Sequence, residues 1–135
     1  MDIIYFRIDG NPKGKDRPRF ARGHTYTPKP TKDYEKKVVK TFKSEYPHYE
    51  VPTGALEVSI DVYYKPIKSI SKSDRAKMLS GEIRPTKKPD ADNIAKIILD
   101  ALNGYAYEDD KQVVELTVKK YYAEVAHTDV YIGNL

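Results

Sequence analysis

Two carboxylates two residues apart, Asp90 and Asp92, stand at the head of an apolar repeat in the stretch KKPDADNIAKIILDALNG (residues 87–104). A basic pair, Lys87 and Lys88, precedes them, and a second acidic pair, Asp109 and Asp110, follows the repeat. Ile94, Ile97, Ile98, Ala101 and Leu102 fall at helical spacing, which predicts an amphipathic helix of about 12 residues. Asn103 and Gly104 suit its C-terminal cap. At 3.6 residues per turn, Asp92, Lys96 and Asp100 share one face of that helix. In one reading Asp92 caps the helix and the face carries i,i+4 ion pairs. The other reading is chemical. A helix of 12 residues is about 18 Å long, and the segment 104–110 can extend to about 23 Å. Asp110 is then able to return to the helix's leading edge beside Asp90 and Asp92. Three carboxylates at one spot repel each other and bind protons unless a cation joins them. Ligands of oxygen alone suit Mg²⁺ or Mn²⁺, held by one or two carboxylates, several waters and a substrate phosphate. Lys96, one turn in, would temper that charge and reach a phosphate or a leaving oxygen.

Other metal patterns are missing. The spacing is not that of an EF-hand loop, and no zinc pattern exists, because His24, His48 and His127 are scattered and read as surface residues. The sequence has no cysteine, so disulfides, thiolate metal sites and cysteine nucleophiles are excluded.

The chain carries a formal net charge of +4, but the charge is unevenly spread. Residues 10–40 hold ten basic side chains against three acidic ones, a local +7, so the remainder is net acidic. Within GNPKGKDRPRF, Lys13, Lys15, Arg17 and Arg19 recur, with Arg22 just beyond. Such a loop suits phosphate contacts whose strength falls steeply with salt. Phe20 and Tyr26 flank Arg22 and His24 and could stack on exposed bases.

The elements that must position these residues are few. The 135 residues, 39% hydrophobic, fit one domain (1–135) with a modest core. No apolar run approaches a membrane span and the N-terminus lacks a signal-peptide pattern, so a soluble cytoplasmic protein is expected. Ile3 to Ile8 reads as a strand and 10–30 as a loop. Thr31 caps a helix carrying Tyr34, Val38, Val39 and Phe42. Alternation over 55–64 predicts a half-buried strand. The connection 65–89 holds a short capped helix ending at Gly81. After the 87–104 helix, Val113, Leu116 and Val118 mark a strand, with HTDVYIGN expected as its hairpin partner. The fold class is α+β: a mixed β-sheet packed by two main helices.

DADNIAKIILDALNG followed by YEDDKQV closely resembles the RusA family of Holliday junction resolvases in its phage and prophage form. The pattern is Asp-x-Asp-Asn-x-x-Lys, then Asp-Ala-Leu, then Asp-Asp-x-Gln. Asp90, Asp92, Asn93, Lys96, Asp100, Asp110 and Gln112 fall on it. The basic, proline-containing loop at 10–20 is similar to one near the N-terminus of many members. The resemblance implies a homodimeric, Mg²⁺-dependent endonuclease of DNA recombination and repair that cuts four-way junctions by paired nicks in strands of like polarity. It implies Asp90, Asp92 and Asp110 as metal-binding catalytic carboxylates and Lys96 as the catalytic lysine. Where the best-known member has an arginine run before its first aspartate, this chain has Lys87, Lys88 and Pro89, which keep the charge but not arginine's bidentate fork. The DNA-contacting set is then Lys13, Lys15, Arg17, Arg19, Arg22, Lys87 and Lys88. Two alternatives stay open on the residues alone: a non-catalytic DNA-binding protein, and a metal nuclease for other branched DNA.

Overall fold

Alternating apolar residues build the sheet on which everything else sits. A computed structural model describes residues 3–135. The elements in chain order are β1 (Ile4–Asp9), β2 (Arg19–Ala21), β3 (His24–Tyr26), α1 (Lys29–Glu45), β4 (Leu56–Tyr64), α2 (Lys72–Leu79), α3 (Ala91–Leu102), a 3₁₀ turn (Asp110–Gln112), β5 (Val113–Tyr122) and β6 (His127–Asn134). Four strands form one mixed sheet in the order β1-β6-β4-β5. β6 runs antiparallel to both β1 and β4, and β5 runs parallel to β4.

Inward residues alternate strictly. Phe6 and Ile8, then Val130 and Ile132, then Leu56, Val58, Ile60 and Val62 are all buried. α1 covers them with Val38 and Phe42, and α3 with Ile94, Ile97, Ile98 and Leu102. Both helices lie on the same face and pack against each other. Burial of each large side chain is worth about 1.5–3 kcal/mol, so α3 is fixed by its apolar stripe and its polar face is free for other work.

Several expectations are corrected. β6 is not the hairpin partner of β5. It is buried along nearly its whole length, which calls for a strand on each side, and it inserts between β1 and β4. The four-residue link 123–126 steps over the end of β4, where the Ala123 amide donates to the Tyr64 carbonyl at 2.9 Å. Val114, which blurs the sequence alternation, sits at a register shift between β4 and β5. The 10–30 loop contains a two-stranded hairpin, β2 with β3, turned at Arg22 (φ 51°) and Gly23 (φ 83°). Two consecutive left-handed residues match the tight turn that suits antiparallel twist. Thr31 is not the cap of α1. The helix begins two residues earlier at Lys29, behind Pro28, with Pro30 in its first turn, where a missing amide costs nothing. Thr31 is instead fully buried and donates its hydroxyl to Asp16 at 2.8 Å. The short helix is as expected: Ser71 caps α2 by accepting from the Asp74 amide at 3.1 Å.

Candidate active site

α3 has two chemically distinct ends. At its amino end the N-cap position belongs to Asp90, not Asp92, and no side-chain cap hydrogen bond forms there. Asp92 lies in the first turn. Both side chains are exposed. The helix dipole favours negative charge at this end, yet neither carboxylate is used in capping, so their oxygens face outward. Nor do the expected i,i+4 pairs form: Asp100 is bound by Lys15 at 3.3 Å, and Lys96 is exposed with no ion pair among the described residues.

The basic loop is packed against this end. The Lys15 amide donates to the Asn93 carbonyl at 2.9 Å. Gly14 lies so close that a Cβ there would stand 2.6 Å from Pro89 Cβ and 3.2 Å from Asn93 Cβ. Lys15 Nζ reaches Glu35 at 2.9 Å as well as Asp100. Burial opposes the charge on Lys15, but its bonds to Glu35 and Asp100 prevail and hold its pKa above the ordinary lysine value. Lys13 pairs with Asp16 at 3.1 Å. Lys15 is therefore a strut between the loop, α1 and α3, rather than a free phosphate contact, and Lys13 is tied within the loop. Sequence alone could not separate these two from Arg17, Arg19 and Arg22, which are exposed with no ion pair among the described residues. Phe20 and Tyr26 are also exposed, at 72% and 42%.

Between loop and helix lies a cleft of about 500 Å³, lined by Lys13, Arg17, Lys88, Asp90 and Asn93 among others. Acid and base meet in it, as their adjacency in sequence suggests. Lys88 and Lys87 are exposed, and Lys87 Nζ stands 5.0 Å from the centre of the Tyr64 ring. Lys120 Nζ donates to the Pro89 carbonyl at 3.0 Å, anchoring the approach to Asp90 on the carboxyl end of β5.

Asp110 lies elsewhere. Its amide donates to Asn103 Oδ1 at 3.0 Å, at the carboxyl end of α3. Gly104, at φ 82°, turns the chain there, and fully buried Tyr107 anchors it by donating to the Leu99 carbonyl at 2.6 Å. Asp109 caps the 3₁₀ turn through the Lys111 amide at 2.9 Å. Gln112 closes the turn: Oε1 accepts from the Glu108 and Asp109 amides, while Nε2 donates to the Pro52 and Gly54 carbonyls. Gln112 thus holds the loop in place. Burial, reinforced by Asp109 and by the charge of Asp100, raises the Asp110 pKa above the usual carboxylate value. Asp109 moves the other way, lowered chiefly by the Lys111 backbone bond.

The structure therefore brings Asp110 to Asp100 and Asp109, and does not return it to Asp90 and Asp92 within one chain. Among the described residues no three His, Cys, Asp or Glu side chains form a group able to hold a metal ion. The 104–110 segment is long enough to return, as its length suggests, but Tyr107 and Asn103 fold it against the helix end first.

A basic loop facing exposed carboxylates across a cleft is the layout of a protein that handles polyanions. Comparison with known proteins makes the class specific. The chain matches the endodeoxyribonuclease RusA family over residues 9–133, and it belongs to that family. It is also similar to a Bacillus subtilis (strain 168) protein named "Uncharacterized protein YqaN", at 38% identity over 137 residues, covering 98% of this chain and 96% of the relative. No helix among the described residues is long and apolar enough to cross a membrane.

Proposed function

We propose that the chain is a divalent-metal-dependent endonuclease that resolves four-way DNA junctions by paired, symmetric nicks as a homodimer, acting in recombination and repair. The observation that carries this reading is the pair Asp90 and Asp92, exposed and unused in capping, beside a cleft that Lys88 and Arg17 also line. Oxygen donors of this kind fit Mg²⁺, which takes one or two carboxylates and completes its shell with water and phosphate. Asp90 and Asp92 would hold the ion, and Asp110 would join them. A bound Mg²⁺ would supply activated water and charge stabilisation at the scissile phosphate. The chain's own part is to orient the DNA. Arg17, Arg19, Arg22, Lys87 and Lys88 would grip phosphates, Lys96 would meet developing charge, and Phe20 or Tyr26 would lie against open bases.

A homodimer would let Asp110 take part. Both sheet edges are partly closed. The Tyr46 hydroxyl bonds both the amide and the carbonyl of Tyr5 in β1, and Arg84 donates to the Lys120 carbonyl in β5 at 2.6 Å. The amino half of β5 stays open, with Val114 and Leu116 exposed at 59% and 45%. Bare apolar edges of this kind invite pairing. Two copies joined antiparallel through this edge about a two-fold axis would set Asp110, at the amino end of β5, against the carboxyl end of β5 in the second protomer. There Lys120 holds the Pro89 carbonyl next to Asp90. Each site would then draw Asp90 and Asp92 from one protomer and Asp110 from the other, and a two-fold junction would meet two such sites.

The test is incubation with a synthetic four-way junction and Mg²⁺, a linear duplex serving as control. Paired nicks on the junction, lost with chelator and lost in Asp92→Asn, are expected. Selective binding without nicking in Mg²⁺ or Mn²⁺ would establish the non-catalytic reading, and equal cutting of the linear duplex would establish a nuclease of other specificity.

A further inference from the structure

The groove between α1 and α3 is separate from the cleft at Asp90. It has a volume of about 570 Å³, and Val39 and Ala101 are among its apolar lining residues. Along one wall run Lys32, Lys36, Lys40 and Lys43. Steps of four, four and three residues place all four within an arc of about 80° on α1, spread over about 16 Å of its axis. All four are exposed, and none forms an ion pair among the described residues. Lys43 stands over the Tyr105 ring at 4.6 Å. The two acids in the groove, Glu35 and Asp100, share Lys15, which offsets one of their two charges. The four lysines outweigh the charge left over, so the track is net cationic, and its far wall includes Asp100, the neighbour of Asp110.

We propose that this groove binds the sugar-phosphate backbone of one DNA strand, with Lys32, Lys36, Lys40 and Lys43 as its phosphate contacts. The proposal rests on the nuclease reading and deepens it by giving the strand a path to the Asp110 end of α3. A strand of B-DNA presents one phosphate per 3.4 Å of axis, so about 16 Å of track spans roughly five. Four unpaired lysines along one wall match that density better than they match a folded acidic protein, whose carboxylates have no fixed repeat.

The experiment measures binding to a synthetic four-way junction across a KCl series, in chelator so that nothing is cut. The double variant Lys36→Gln/Lys40→Gln is compared with wild type and with Lys72→Gln/Lys77→Gln on α2. The slope of log K against log salt should become shallower by about two in the groove variant, about one per lost phosphate contact. It should be unchanged in the α2 variant and restored in Lys36→Arg/Lys40→Arg. Circular dichroism melting checks that each variant folds. An unchanged slope in a folded groove variant overturns the proposal and leaves the groove to an acidic polypeptide, while junction cleavage by wild type keeps the nuclease reading intact. A shallower slope with no cleavage under any divalent cation would instead keep the groove and remove the nuclease.

Discussion

The two ends of α3 carry the same residue type in opposite settings. At the amino end Asp90 and Asp92 are exposed, left out of the cap, and sit where the helix dipole favours anions. At the carboxyl end Asp110 is crowded by Asp109 and Asp100 and its pKa is raised. In the proposed site, the first end would offer open ligands and the second a carboxylate whose charge its neighbours disfavour. On the proposed reading, the difference teaches how a small domain could prepare a metal site without completing it: each protomer keeps its carboxylates apart, and a partner and an ion would bring them together.

The largest expected effects break this comparison directly. Asp92→Asn and Asp110→Asn, although at opposite ends of one helix, should each lower junction cleavage by about 10²–10³-fold or more, the scale for losing a main electrostatic stabiliser. Gel-shift affinity in chelator should hold within a few-fold. If one end alone matters to cleavage, the ends do not work together.

Next in size is the seating of the loop. Lys15→Met strands Glu35 and Asp100 and should cost about 1–3 kcal/mol in urea unfolding. Gly14→Ala pushes a methyl into Pro89 and should cost a similar amount, about 1–3 kcal/mol. Both should loosen junction binding; Gly14→Ala should leave the carboxyl end of α3 unaltered, whereas Lys15→Met also uncovers Asp100 beside Asp110, which sharpens the contrast between the ends.

Much of this was legible in the sequence. The apolar stripe of α3, the alternation in β4 and the serine cap of α2 follow from local spacing, whereas the return of Asp110 to Asp90 does not occur within the chain. What was not legible depends on partners distant in the chain. Lys15 reads as one basic residue among five until Glu35 and Asp100 close on it. Asp109 and Asp110 read alike until a backbone amide claims one and the other is left exposed beside Asp109 and Asp100. β6 reads as a hairpin arm because its four-residue link is short, and only burial on both sides forces it between β1 and β4. The Gln112 clamp lay in the motif, but its role rests on carbonyls at Pro52 and Gly54.

The smallest effect concerns pH. Because the Asp110 pKa is raised in the fold, its protonated form favours folding below the ordinary carboxylate pKa, and that contribution disappears as pH rises through the folded value. Asp110→Asn should therefore unfold no more readily than wild type at neutral pH, with any advantage shrinking as pH falls into the acid range. Asp109, whose pKa is lowered, should behave oppositely, its contribution to stability fading on acidification. Chemical unfolding at several pH values reads both signs.

The most direct measurement of the central claim mixes two inactive proteins, Asp92→Asn and Asp110→Asn, after joint unfolding and refolding, on a four-way junction in Mg²⁺. If each site takes Asp92 from one protomer and Asp110 from the other, mixed dimers hold one intact site, and single nicks return although neither parent cuts. A mixture as inactive as its parents, with wild type active and mixed dimers verified by mass, would contradict the shared site.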